Sequence, residues 1–209
     1  SGRGECGQCL VRARYAGPAR LRRHLSQQIG DRCRALGSAL EVTIERGLRV
    51  ANVRLRDLEL ARSIQRGLLP TAPPRVEGFS VAGWNKPADQ TGGDYFDWHV
   101  LGDGRVVVTL ADVTGHGVGP ALMAAASRAY GRAVAADPGG LGSAMTRMNE
   151  SLSADLPPGK LITLVTAVVH PTRREVELLS AGHGPLLYYS AASGSMQRFD
   201  AHAVPFGVM

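Results

Sequence analysis

Two short segments carry the residues of this 209-residue chain best suited to chemistry. In Thr91-Gly92-Gly93-Asp94-Tyr95-Phe96-Asp97, two glycines precede an acid, so the backbone can turn tightly and deliver the Asp94 carboxylate to the start of a strand. In Leu110-Ala111-Asp112-Val113-Thr114-Gly115-His116-Gly117, an apolar run ends in an acid and a glycine-punctuated turn then feeds a helix. A carboxylate leaving the end of a buried strand can meet others from neighbouring strands. Such a cluster repels itself unless cations occupy it, and hard oxygen donors select Mg²⁺ or Mn²⁺. Each segment alone also fits a bland role, a turn before a strand or the start of a helix. Their pairing across Leu101-Gly102-Asp103-Gly104-Arg105 is far more specific than either one.

Other reactive residues form weaker patterns. Cys6-Gly7-Gln8-Cys9 has knuckle or redox spacing, and His24 with Cys33 could nominally complete four ligands, but the combination is irregular. An odd thiol count without a secretory context favours reduced cysteines in a cytoplasm. No cysteine lies beyond Cys33, which removes a thiol nucleophile from the region of the two acidic segments. His116 either supports a water network beside Asp112 or stabilises the turn between two glycines. His183 reads as a turn residue, and His24, His99, His170 and His202 follow no ligand-like pattern.

The elements that must position these groups divide the chain. Residues 1–18 are Gly-rich, end in Gly17-Pro18 and read as a flexible segment. Residues 19–69 contain no proline and repeat apolar positions at helical intervals. Ile44, Leu48, Ala51, Leu55 and Leu58 follow a 4-3-4-3 rhythm, which suits a coiled-coil seam or a stripe packed in cis. Pro70 ends that helix. Strands are expected at 79–84, 95–101 and 105–112, helices at 120–136 and 141–156, and strands again at 162–170, 175–180 and 186–190.

Charge is divided in the same way. Residues 1–70 hold 14 Arg, no Lys and 6 acids, a net +8, whereas the remainder has a net −2. The Arg residues alternate with Leu, Val and Ala and lack an aromatic stacking platform, so a solvated helical face is favoured over nucleic-acid binding. No apolar run approaches the roughly 18 residues that span a bilayer. The opening Ser1-Gly2 without an initiator Met reads as a piece of a longer protein.

Four motifs in order resemble the bacterial PP2C-type (PPM) serine/threonine phosphatases of the SpoIIE/RsbU kind. They are the entry stretch from Leu60 to Pro70, Gly92-Gly93-Asp94-Tyr95-Phe96-Asp97, Ala111-Asp112-Val113-Thr114-Gly115-His116-Gly117 and Ser180-Ala181-Gly182-His183-Gly184-Pro185. In the third, Thr114 stands where the family usually has Ser. The resemblance implies an α+β fold, an αββα sandwich of two antiparallel sheets flanked by helices, here occupying 70–209 behind a long N-terminal helix. It further implies a two-metal Mn²⁺ or Mg²⁺ site with Asp112 bridging, Val113 contributing its backbone carbonyl and Asp94 binding directly or through water; Gly93, Gly115 and His116 would support it. The reaction implied is hydrolysis of phosphoserine or phosphothreonine on a partner protein by a metal-activated water. That partner is expected to be an STAS-type anti-sigma factor antagonist. A homodimer through the N-terminal helix is also expected, its register coupled to the metal site by way of Leu60 to Pro70. The family's later T-D-G-like acids have no counterpart before Met209, so the second metal site is expected to lack ligands here. The alternative is a non-catalytic scaffold of the same fold that docks a partner or transmits a dimerisation signal.

Overall fold

The computed structural model describes residues 19–87 and 89–208, so the expected flexible segment and the Cys6–Cys9 pair lie outside the described residues. By compactness the chain falls into two units, Ser1–Arg54 and Leu55–Met209. A long helix, α1, spans Ala19–Leu68. It runs unbroken because no proline or paired glycine interrupts it, and it stops where the Leu69 N–H turns back to the Arg66 carbonyl ahead of Pro70. Up to Arg54 the described apolar side chains, among them Leu36, Leu40, Ile44 and Leu48, are exposed. Cys33 is exposed too, and His24 exchanges a hydrogen bond with Gln28 one turn on.

The second unit is built on an antiparallel sheet of β1 (Tyr95–Val100), β2 (Val106–Val113), β3 (Ile162–His170) and β4 (Glu175–Ala181), in that spatial order. Strands β5 (Leu186–Ser190) and β6 (Ser195–Phe199) form a separate two-stranded antiparallel sheet. Between β2 and β3 come two helices, α2 (Val118–Val134) and α3 (Gly140–Asp155). The β1–β2 turn uses Gly104 at φ +83°, a conformation that costs a glycine little, and the Asp103 carboxylate accepts the Arg105 N–H. Helices, antiparallel sheets and a preceding long helix make up the α+β class that the motifs imply.

Register sorts the side chains. Tyr95 faces Ala111, Ala111 faces Leu164, and this row with Val107, Val113, Ile162 and Val168 forms the core under Ala124, Met145, Met148 and Leu152 of the helices. The opposite face carries Phe96, Trp98, Leu110 and Leu178 and is only partly covered. Asp97 lies on the helical face and is nearly fully buried. Its carboxylate accepts two hydrogen bonds from Arg132, at 2.5 and 2.8 Å, and faces Arg128 Nε at 3.2 Å. The Tyr95 hydroxyl meets Ser127 at 2.9 Å beside it, tying β1 to α2 at a second point.

Two details differ from the sequence expectation. Residues 79–84 make no strand: after the isolated Val76–Phe79 bridge the chain is irregular, and Gly83 lies against the Phe96 and Trp98 rings. An apolar run can also be buried by side-chain contact without joining a ladder, and here it lies against aromatic rings of β1. Conversely, the polar sequence Ser195–Phe199 pairs with β5 and is exposed throughout, so hydropathy does not reveal it. Among the described residues no helix is long and apolar enough to cross a membrane.

The Asp97 cluster yields a stability prediction. Removing one partner of a buried ion pair leaves the other charge uncompensated. Asp97→Asn is expected to cost about 3 kcal/mol, read as a lower urea midpoint at unchanged slope. A midpoint equal to that of the unmodified protein would show that the two arginines find enough solvent without Asp97.

Candidate metal centre

One end of the four-stranded sheet gathers the candidate residues. Asp94 immediately precedes β1, Asp112 and Val113 end β2, Thr163 is second in β3, and His183 follows β4. Carrying the β1–β2 register one step beyond Tyr95–Ala111 sets Asp94 directly opposite Asp112, and a further step sets Gly93 opposite Val113. The backbone confirms the second step: the Val113 N–H donates to the Gly93 carbonyl at 3.3 Å. A Cβ on Gly93 would sit 2.2 Å from the Val113 carbonyl oxygen, so no side chain fits there.

The two carboxyl groups therefore share one small space. Burial pushes the Asp94 proton affinity above the ordinary carboxylate range, and the charge and hydrogen bonding of Asp112 push the same way, while His183 opposes them. Paired carboxylates of this kind hold a proton or a cation between them.

The surrounding loops are anchored. Gly115 at φ +103° and Gly117 at φ +84° carry the chain from Asp112 into α2 through left-handed backbone. Thr114 clips this loop to the start of β3, its N–H and hydroxyl both donating to the Leu161 carbonyl at 3.0 Å and its hydroxyl oxygen accepting the Leu161 N–H at 3.3 Å. The Lys160 ammonium donates to the Thr114 carbonyl at 3.1 Å. On the β3 side, Thr163 lies opposite Asp112 and meets His183 Nδ1 at 2.9 Å. The buried Ser180 hydroxyl donates to the His183 carbonyl, and the Gly182 N–H donates to Ala203 at 2.7 Å.

The structure thus brings Asp94, Asp112, Val113 and Gly93 together. Gly115 lies in the adjoining loop. His116 is joined by backbone, through a bridge to Gly92, while its ring stands in solvent 4.0 Å from the Asp89 carboxylate. Asp97, the second acid of its segment, points to the opposite face. His183 and Thr163 are neighbours of the carboxylates that the sequence reading does not include, Thr163 by standing opposite Asp112. The donors fit a hard divalent cation, because two carboxylates and a backbone carbonyl are oxygen ligands. Among the described residues no group of three or more His, Cys, Asp or Glu surrounds one point, so remaining positions suit water or phosphate oxygens, a habit of Mg²⁺.

The family described as Stage II sporulation protein E (SpoIIE) matches residues 102–209, more than half of the chain. The chain belongs to the SpoIIE family. It is 26% identical over 154 residues to the phosphoserine phosphatase RsbU of Bacillus subtilis, covering 73% of this chain and 45% of that protein. It is 25% identical over 134 residues to Protein IcfG of Synechocystis, covering 64% of this chain and 21% of that protein. The chain therefore spans less than half the length of these two relatives. Among solved structures, the SiaA-PP2C domain of Pseudomonas aeruginosa matches with a TM-score of 0.59 at 20% identity, over 77% of this chain and 65% of that one, which shows the fold. The RsbU and RsbW domains of Rv1364c from Mycobacterium tuberculosis match at 30% identity with a TM-score of 0.50, over 56% of this chain and 32% of that one. The PP2C-type fold and the SpoIIE/RsbU relationship implied by the motifs both hold.

The carboxylate pair gives a test that needs no substrate. Because the folded-state affinity of Asp94 for its proton is raised, the pair costs stability at neutral pH and this cost disappears as falling pH protonates it. Without metal, Asp112→Asn is expected to raise the melting temperature at pH 7 and to lose that advantage at pH 3. A lower melting temperature at pH 7 would mean that the two carboxylates do not repel each other.

Proposed function

We propose that the protein is a metal-dependent phosphatase acting on phosphoserine or phosphothreonine of a partner protein. The observation that carries this reading is the Asp94–Asp112 cross-strand pair at the sheet end, in a SpoIIE-family chain. Asp94 and Asp112 hold a Mn²⁺ or Mg²⁺ ion, with the Val113 carbonyl as a further oxygen donor. When bound, such an ion neutralises phosphate oxygens and lowers the pKa of a water for in-line attack.

The residues of the chain supply the rest. Asp94, whose proton affinity is raised by burial and by the charge of Asp112, would bind the cation as a carboxylate. Gly93 keeps the two segments in contact, and the Thr114–Lys160 anchor holds the loop leaving Asp112. The names of the relatives, RsbU and a protein with RsbU and RsbW domains, support a regulatory partner protein; the substrate this reading favours is the one the motif resemblance implies, an STAS-type anti-sigma factor antagonist in the cytoplasm. On the protein at its natural length, Asp94→Asn and Asp112→Asn should each abolish Mn²⁺-dependent phosphate release from a phosphoserine protein while circular dichroism stays unchanged. Turnover retained by either variant, against a metal-free blank, rules out the carboxylate pair as the catalytic metal site, whereas no turnover by the unmodified protein leaves the scaffold reading.

The helix has a role of its own in this proposal. Ile44, Leu48 and Leu55 are each more than half exposed, and charged residues flank them, including Glu45, Arg46, Arg49, Arg54 and Arg56. A stripe this narrow suits a two-stranded parallel seam better than a buried helical face. Leu48→Glu with Leu55→Glu places like charges in that seam, and light scattering should then report a monomer where the unmodified protein is a dimer. A monomeric unmodified protein, or a dimeric double variant, removes the seam.

A further inference from the structure

One contact at the end of α1 belongs to neither the core nor the carboxylates. Gln65 is half-buried, and its side-chain amide exchanges two hydrogen bonds with a single residue 27 positions away. The Gln65 Nε2 group donates to the Gly92 carbonyl at 2.6 Å, and the Gly92 N–H donates to Gln65 Oε1 at 3.2 Å. Exchange of both bonds between two facing residues is the pattern of a hydrogen-bonded pair in an antiparallel ladder. A carboxamide carries the same donor and acceptor as a peptide group, so Gln65 acts as a strand one residue long.

Strand geometry explains why this matters at Gly92. In an extended segment the polar groups of one residue point to one side and those of the next residue to the other. Gly92 is paired with Gln65, and the neighbouring Gly93 carbonyl accepts the Val113 N–H. The two-glycine segment before Asp94 is therefore held on both edges, by Gln65 on one and by β2 on the other. Gly92 cannot supply side-chain packing of its own, and two successive glycines leave the backbone weakly constrained. The amide takes over that constraint.

We propose that Gln65 is a positioning residue for the metal centre. Its amide fixes the Gly92–Gly93 backbone against Val113, and this sets where the Asp94 carboxylate stands relative to Asp112. Arg62, one turn earlier on α1, reaches only the Gln90 side chain at 3.1 Å and holds no backbone group of the segment. The specific link from α1 to the carboxylates is thus Gln65 and not the helix surface in general. The inference rests on the metal-centre reading for its effect on affinity, but the clamp itself is measurable without metal.

The test combines hydrogen exchange at the Gly92 amide with calorimetric Mn²⁺ titration. Gln65→Ala should abolish protection of the Gly92 amide and weaken Mn²⁺ binding by roughly 10- to 100-fold, the size of effect that an outer-shell partner of a metal ligand has, with the melting temperature little changed. Gln65→Glu keeps the acceptor for the Gly92 N–H but sets a carboxylate against the Gly92 carbonyl, so protection should survive in part and affinity fall in between. This variant also decides the matter if Gln65→Ala fails to fold. Arg62→Ala should leave both readouts unchanged. A protected Gly92 amide with unaltered Mn²⁺ affinity in Gln65→Ala overturns the proposal, as does a loss in Arg62→Ala equal to that in Gln65→Ala. If the unmodified protein binds no Mn²⁺, the metal reading fails instead, and Gly92 exchange alone decides whether the clamp exists.

Discussion

The Gly93 backbone touches the Val113 carbonyl, and the candidate site depends on that contact. A Cβ at 2.2 Å from a carbonyl oxygen is impossible without moving one of the two segments, so the position admits glycine alone. With Gly93 set against Val113, antiparallel register leaves no freedom for the next pair, and Asp94 must face Asp112. Side chains directly opposite in such a ladder lie about 4.5–5.5 Å apart at Cβ, where like charges are destabilising. A fold that forces two carboxylates into this position has built an electrostatic cost into its sheet end. In the proposed function a divalent cation would remove that cost, and the same contact that strains the metal-free protein would contribute to holding the metal.

Alternation along β1 separates two acids that look equivalent in sequence. Asp94 and Asp97 are an odd number of residues apart and so lie on opposite faces of the sheet. Asp97 falls under α2, where Arg128 and Arg132 neutralise it and it joins strand to helix. Asp94 falls on the face without helices, next to Asp112, where no arginine or lysine is bonded to it among the described residues. One carboxylate is bound up by its own fold, and the other is left able to take an ion. The difference in role comes from parity, not from local composition.

Much of this was legible before the coordinates. Strand β3 falls where its buried, β-branched run and the Pro171-Thr172 turn set it, and β5 follows Gly184-Pro185 as an exposed run of leucines and tyrosines. Glycine spacing before Asp94 and after Asp112 also pointed to a paired-acid site. What sequence could not show was which groups close around that pair. Gln65 reaches Gly92, and Lys160 reaches Thr114, through side-chain-to-backbone bonds over 27 and 46 residues, which leave no periodicity to read. His183 looked like a turn residue and is one, held by Ser180, yet the same turn carries its ring to Thr163 beside Asp112. The composition of 79–84 suits a strand, but the segment pairs with none and Gly83 lies instead against the Phe96 and Trp98 rings.

The anchors differ in kind, and that difference bears on how the site can change. The Asp112 segment is part of an eight-residue strand between two partners and is fastened beyond its end by the threefold Thr114–Leu161 bonding. Moving it would break the central ladder. The Asp94 segment is the outer one: it begins the edge strand β1, is preceded by two glycines, and is held on its free side by one amide from α1. Of the two carboxylates, Asp94 is therefore the one whose place can shift without disturbing the core. If Gln65 acts as proposed, a displacement of the end of α1 would reach the site through the Gly92 backbone and Asp94, with Asp112 as the reference point.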